Sequence, residues 1–108
     1  MKIDLTGVET AHSQAAPRKR IDPGVTKIDL WGGANGARAL VLEFEPGATF
    51  AEIDENFPGP EEVFVVSGTF SDGVHAYPAG SFIHNPTGSA HVPQSRSGCV
   101  LFVFLPEG

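Results

Sequence analysis

The sequence has one cysteine, no long apolar run and few basic residues, and each shortage excludes a class of protein. The single Cys99 cannot form an internal disulfide, which is typical of a reducing compartment. No apolar stretch approaches the ~20 residues of a membrane-spanning helix, and the first 22 residues have no apolar segment of the kind a secretory signal contains. We therefore expect a cytoplasmic protein that does not enter a membrane.

The charge balance argues against a nucleic-acid partner. Thirteen Asp and Glu stand against seven Lys and Arg, which gives a formal net charge of −6, whereas phosphate binding requires clustered basic side chains. The one basic cluster, Arg18-Lys19-Arg20, lies in a polar segment and is expected to be a solvated tail. We divide the chain into a polar leader, residues 1–24, with at most one short edge strand, and a single domain, residues 25–108.

The sequence also offers few places for a helix, because 13 glycines and 9 prolines interrupt most stretches that would be long enough to form one. Short runs rich in Val, Ile, Phe and Thr alternate with turn residues from residue 25 onward, and they predict an all-β sandwich or barrel. Strands are expected at 27–31, 37–44, 62–66, 69–71, 81–84 and 99–105. The predicted core comprises Ile28, Leu42, Phe44, Val63, Val65, Phe82, Leu101 and Val103.

Glycine, proline and histidine recur at fixed offsets in the stretch GSFIHNPTGSAHVP. Gly80 is followed after five residues by Pro86, then by Gly88, and two further residues lead to His91. Proline fixes its own φ and biases the preceding residue towards an extended backbone, while glycine permits positive φ. These residues together are expected to hold His91 at the mouth of a small barrel.

A second spacing accompanies the first, since Glu61 is followed after six residues by Gly68. Both spacings match the cupin signature, and the segments PGPEEVFVVSGTFSDG, AYPAGSFIHNPTGSAHVP and GCVLFVFL resemble the ChrR-type cupins most. The resemblance covers roughly residues 25–105. It implies a double-stranded β-helix, or jelly-roll barrel, in which Glu61 and His91 coordinate one divalent metal ion.

The sequence departs from this family where a His-x-His pair should precede the glutamate. Counting back from Glu61 places Glu55 and Phe57 at the two histidine positions, and counting forward from Gly47 places Ile53 and Glu55 there. Glu55 therefore occupies one ligand position in either register. Asp54 becomes an additional ligand if the strand bulges. Two carboxylates and one histidine would bring a divalent ion close to zero net charge, and mixed oxygen and nitrogen donors suit Mn or Fe(II).

The expected metal ligands are thus Glu55, Glu61 and His91, with His84 and Asp54 as weaker candidates and Mn, Fe or Zn as the ion. His84 shares a strand face with Phe82, and a packed or hydrogen-bonded histidine is the alternative to a ligand. His75 is expected to be exposed and Cys99 to be a buried small apolar residue. Several aromatic residues are expected to belong to the core: Trp31, Phe50, Phe64, Phe82, Phe102 and Phe104.

The function we expect is that of a stand-alone small cupin that binds one divalent metal and a small molecule in its barrel. A metal-dependent cupin oxygenase is one activity that such a site allows. The alternative is a non-catalytic ligand-binding or sensor module without metal, because fold alone does not determine chemistry. We also expect a homodimer, on the argument that apolar terminal strands leave sheet edges that need covering.

Overall fold

The computed structural model describes residues 1–50, the backbone of residues 54–55, and residues 59–108. Regular structure in these residues consists of β-strands without a helix, as the glycine and proline content predicts. The strands are β1 (Arg18–Asp22), β2 (Val25–Gly32), β3 (Arg38–Phe44), β4 (Ala48–Thr49), β5 (Asp54–Glu55), β6 (Glu61–Ser71), β7 (Ala76–Pro78), β8 (Phe82–Asn85), β9 (Ala90–His91), β10 (Gln94–Ser95) and β11 (Cys99–Leu105).

All strand pairs are antiparallel, and most of them belong to one curled sheet. Its order is β1-β2-β3-β11-β6-β10-β4, and β7 and β8 also pair with β6. The two short strands β5 and β9 pair separately. Antiparallel strands joined by short turns and wrapped around one apolar interior form the jelly-roll barrel that the sequence predicts.

The longest strand, β6, connects the two halves of the barrel. Residues 62–68 pair with β11, whereas residues 69–71 pair with β7. The change occurs at a bulge around Val66, where the register with β11 shifts, and at Gly68, which has φ +73°. The sequence-based prediction of two strands separated by Gly68 is therefore wrong: a bulge and a glycine with positive φ bend one strand without ending it.

The core lies on the inner face of this curled sheet. Its buried members alternate with outward residues along β6 and β11, as the pleat requires; the tightest of them are Val25, Val63, Val65, Leu101 and Val103. Six of the eight predicted core residues are buried, and Leu42 packs partly buried against them. Cys99 is 5% exposed, and this burial raises the pKa of its thiol against the lowering effect of a hydrogen bond with Ser95.

The prediction that Phe82 belongs to the core is wrong, because its side chain is 65% exposed. In β8 the residues Ile83 and Asn85 face inward, which turns Phe82 and His84 outward. Phe64 and Phe102 were also expected in the core but are 44% and 37% exposed. Phe64 pairs directly with Phe82 on one side and with Phe102 on the other, so the three rings form a row across the outer face. Trp31, likewise predicted as core, is 40% exposed.

Strand β1 forms one edge of the sheet and contains the basic cluster. Arg18 forms an ion pair with Glu43, and Arg20 lies 3.7 Å from a carboxylate oxygen of Glu45. The cluster is thus part of an edge strand and not a solvated tail. Charged side chains on an edge strand discourage pairing with a second chain.

The apolar strand β11 lies between β3 and β6 in the middle of the sheet, so the expectation that it leaves an uncovered edge is wrong.

The connection between β6 and β7 is organised by one carboxylate. Asp72 accepts hydrogen bonds from the backbone N–H groups of Val74 and His75, and from the hydroxyl of Tyr77 at 2.9 Å. Partial burial raises the pKa of Asp72, but these hydrogen bonds outweigh it and lower the pKa below its usual 3.8. The Asp72 bond in turn raises the pKa of Tyr77 above 10.0. His75 is exposed, as predicted.

We expect Asp72→Asn to weaken this turn in a pH-dependent way. Because the folded-state pKa of Asp72 is lowered, its contribution to stability is fully present above the unfolded pKa of 3.8 and is lost as the pH falls through the folded value. The difference in the free energy of unfolding between wild type and variant should shrink on acidification below pH 4. Tyr77 is the single tyrosine, so an absorbance titration should show its pKa falling towards 10 in the variant. Identical tyrosine titrations in the two proteins would contradict this account.

Candidate metal centre

Glu61 is placed by the first pair of β6 with β8. It is directly opposite Asn85, and its side chain is buried although it is charged. Asn85 donates a hydrogen bond from Nδ2 to Oε1 of Glu61, at 3.2 Å. A buried carboxylate is costly unless hydrogen bonds and an opposite charge compensate it. Asn85 supplies part of this compensation and fixes the direction of the carboxylate.

His91 is delivered by the turn that the proline and glycine of the motif create. The N–H of Ser89 donates to the carbonyl of Pro86 at 3.0 Å, and Gly88 has φ +83°. His91 then ends strand β9, and only 9% of its side chain is exposed. The spacing Pro86-x-Gly88-x-x-His91 therefore does what the sequence predicts: it reverses the chain and turns the histidine into the barrel.

The two side chains meet inside the barrel, with Nε2 of His91 3.6 Å from Oε1 of Glu61. This separation is too long for a hydrogen bond. Two donors that each lie about 2.1 Å from one shared ion are about 3.0–3.5 Å apart, so the observed distance is close to that of two ligands of one metal ion. A nitrogen and a carboxylate oxygen are also donors that Mn, Fe(II) and Zn accept.

The space beside this pair is small and mostly apolar. It measures about 10 Å³ where the described residues border it, which is room for one water molecule or one ion. The apolar side chains around it are Leu42, Val63, Phe70, Pro93, Leu101 and Val103. A largely apolar environment of this kind strengthens electrostatic interactions between an ion and its ligands.

Two of the other predicted ligands, Asp54 and Glu55, form β5, which pairs with the strand of His91. In the register of the backbone Asp54 is opposite His91, and Glu55 is opposite Ala90. The alternative positions Ile53 and Phe57 lie outside the described residues. Within the side chains that the structure describes, no three His, Cys, Asp or Glu residues converge to hold a metal ion.

His84 lies elsewhere. Its Nδ1 is 2.6 Å from Oε1 of Glu62, and 54% of its side chain is exposed on the outer face of the sheet. The structure thus brings Glu61 and His91 together and places His84 with Glu62, the residue after Glu61, on the outer face. Asn85 is the site residue that sequence reasoning missed. Its position directly before Pro86 is the one sequence signal that could have indicated it.

Two features define a cupin: the jelly-roll fold, and the pairing of Glu61 with His91, the two residues that the sequence spacings mark. A family profile described as the ChrR cupin-like domain matches residues 6–107. The chain therefore belongs to the ChrR cupin-like domain family, as the sequence motifs indicate. No curated protein matches the sequence. Among the described residues there is no helix of the length and apolar character needed to span a membrane.

Solved structures share this fold at low sequence identity. An RmlC-like cupin from Shewanella frigidimarina has a TM-score of 0.79 at 20% identity, over 94% of this chain and 93% of that chain. An acetylacetone dioxygenase from Acinetobacter johnsonii has a TM-score of 0.77 at 14% identity, over 98% and 77%. A chain of the Rhodobacter sphaeroides SigE complex with the anti-sigma ChrR has a TM-score of 0.74 at 20% identity, over 87% and 50%. These likenesses establish the fold.

Proposed function

We propose that this cupin binds one divalent metal ion, Mn, Fe(II) or Zn, between Glu61 and His91. The observation that carries the proposal is the buried pair itself, with its two donor atoms 3.6 Å apart beside a space for a single ion. Asn85 holds Glu61 in place through the oxygen that faces His91. A bound ion supplies Lewis-acid chemistry.

The third ligand is proposed to come from β5. This strand pairs with β9, and Asp54 and Glu55 are the carboxylate-bearing residues at positions opposite His91 and Ala90. The sequence spacing favours Glu55, and the backbone register adds support for Asp54. Either carboxylate would complete a set of two oxygens and one nitrogen, which suits Mn or Fe(II) better than a thiolate-preferring metal.

The small size of the interior space limits what else the site accepts. About 10 Å³ bordered by described residues is far below the 300–1,000 Å³ of ordinary small-molecule sites. A small-molecule ligand would therefore bind outside this space, with the ion as its point of attachment. The alternative function is a non-catalytic ligand-binding or sensor module without metal, and the 3.6 Å between Nε2 of His91 and Oε1 of Glu61, which suits an ion pair, is the observation that favours it.

A metal titration separates these two functions. We expect protein purified without a chelating column to bind one equivalent of Mn, Fe(II) or Zn in calorimetry, and His91→Ala to lose this binding, because His91 is the nitrogen donor of the site. His84→Ala is the matched control, since it removes the same side chain from the outer face. Asp54→Asn and Glu55→Gln, tested side by side, decide which β5 carboxylate contributes. Absence of binding to wild type, or equal binding to His91→Ala, would leave the metal-free alternative.

We propose further that the protein forms a homodimer through the row of exposed rings on the outer face of the sheet, and not through its sheet edges. Phe64, Phe82 and Phe102 are adjacent across three strands and all exposed, and Val66 beside them is 52% exposed. Exposed apolar groups that form one patch are typical of protein interfaces.

A cytoplasmic location and a preference for small molecules over nucleic acid remain proposals, supported by the single cysteine and the net charge of −6.

Phe82→Glu is expected to convert a dimer into a monomer. The change places a charge in the middle of the aromatic row, where it would lose its hydration on association. Val74→Glu is the control, because Val74 is 84% exposed but lies in the β6–β7 connection. Light scattering should give a dimer mass for wild type and Val74→Glu and a monomer mass for Phe82→Glu. A monomer mass for wild type at high concentration would refute the proposal.

A further inference from the structure

A second recess lies on the other side of β6 from the Glu61–His91 pair. Phe70 of this strand points into the core, so its neighbours Thr69 and Ser71 point outward. Together with Ala76, Gln94, Arg96 and Ser97 they line a cleft of about 450 Å³. This volume is within the range of small-molecule sites.

The floor of the cleft is fixed by strand pairing. Ser71 is directly opposite Gln94 of β10 on one side and Ala76 of β7 on the other, so the three side chains share one face. Arg96 and Ser97 follow in the connection between β10 and β11. The carbonyl of Arg96 accepts a hydrogen bond from the N–H of Gly47 at 3.0 Å, which ties this connection to the neighbouring turn.

The cleft is lined by hydrogen-bond donors and contains no carboxylate among the described residues. Thr69, Ser71 and Ser97 contribute hydroxyls. Ser71 Oγ already accepts from the N–H of Gly73, which leaves its own O–H free to donate. One N–H of the Gln94 amide bonds to the carbonyl of Val92, and the other remains available.

Arg96 adds a positive charge that the described part of the chain does not neutralise. Its guanidinium forms no ion pair or hydrogen bond there, whereas Arg18 and Arg20 pair with Glu43 and Glu45. The carboxylate next in sequence to the cleft, Asp72, is occupied by two backbone N–H groups and the Tyr77 hydroxyl. In a protein of net charge −6, an uncompensated guanidinium surrounded by hydroxyls gives this cleft a local positive charge.

We propose that this cleft binds a small molecule through an oxyanion group, a phosphate, sulfate or carboxylate. Arg96 donates charge-assisted hydrogen bonds to the anion, and the hydroxyls of Thr69, Ser71 and Ser97 with the Gln94 amide donate to its remaining oxygens. The volume of the cleft leaves room for an organic body beside the charged group. This site is independent of the metal centre, because it lies on the opposite face of β6.

The test is a nuclear magnetic resonance titration of the full chain with inorganic phosphate, inorganic sulfate and malonate, with glycerol as the neutral probe. Saturable amide shifts at Thr69, Ser71, Arg96 and Ser97 with at least one anion, and none with glycerol, are expected. The anion that binds with the lowest Kd identifies the oxyanion class. The same anion should bind equally well to His91→Ala, which separates this proposal from the metal centre.

Variants with matched charge provide the decisive comparison. Arg96→Gln should raise the Kd about tenfold or more, as expected for the loss of a charge-assisted hydrogen bond. Arg38→Gln, which removes an exposed arginine outside the cleft, should leave the Kd unchanged. Ala76→Leu narrows the cleft without changing its charge and should also weaken binding. Shifts that do not saturate with any of the anions, or equal weakening by Arg96→Gln and Arg38→Gln, would overturn the proposal.

Discussion

Gly68→Ala is expected to destabilise the protein by about 3 kcal/mol or more, from left-handed backbone strain plus overpacking. Gly68 has φ +73°, and a Cβ added there would lie 2.8 Å from Cα of Cys99 and 3.0 Å from the carbonyl carbon of Gly98. Both are backbone atoms at the start of β11 or directly before it, so they cannot move aside as a flexible side chain would. A loss of this size is a large part of the total stability of a small domain.

Gly80→Ala is the matched control for this effect. Gly80 also has positive φ, at +92°, but an added Cβ would meet no atom within 4 Å. The free energy of unfolding of this variant should therefore fall by only about 1 kcal/mol, the cost of the left-handed backbone for a residue with a Cβ. Urea unfolding of the two variants and wild type measures the difference. Equal losses for Gly68→Ala and Gly80→Ala would show that the close approach of β6 to β11 is not a constraint on the fold.

Saturation with metal is expected to raise the stability of wild type by about 2.7 kcal/mol when the free ion is at 100 times its Kd. The reason is linkage: the ion binds the folded pair of Glu61 and His91, and unfolding separates these ligands. For a domain of this size the midpoint of thermal unfolding should rise by roughly 10 °C or more.

His91→Ala should unfold at the same temperature with and without the ion, since one of its two converging ligands is gone. His84→Ala should keep the full shift, because its ring lies on the outer face with Glu62. A shift that is as large in His91→Ala as in wild type would mean that the ion stabilises the protein from another position.

The fold was predictable because its turns are marked by residues with specific backbone demands. Gly68, Gly80 and Gly88 all adopt positive φ, and Pro86 precedes the turn that delivers His91. The positions of Glu61 and His91 follow from these turns and from the lengths of the strands between them. For the same reason Cys99–Leu105 was predicted with its observed bounds: it is an apolar run between a glycine and a proline.

The orientation of β8 was not predictable from the same pattern. Its sequence FIHN offers an aromatic and a histidine on one face, and an isoleucine and an asparagine on the other. Hydrophobicity favours neither choice clearly, and the structure turns Ile83 and Asn85 inward because Asn85 hydrogen-bonds to the buried Glu61. A polar interaction in the interior therefore decides which face is inward. The exposed aromatic row and the position of His84 both follow from this one choice.

The choice between Asp54 and Glu55 as the proposed third ligand was beyond sequence reasoning for a different reason. A shift of one residue in a strand moves every side chain to the other face, and the missing histidine pair removes the residues that would fix the register. The backbone register supplies part of the answer by placing Asp54 opposite His91.

Pulsed electron paramagnetic resonance of the Mn-loaded protein tests the metal centre most directly, because it detects the nitrogen of a coordinated imidazole. We expect coupling to one histidine nitrogen in wild type and in His84→Ala, and loss of this coupling in His91→Ala. Absence of nitrogen coupling in wild type, or coupling that persists in His91→Ala, would contradict a metal ion bound between Glu61 and His91.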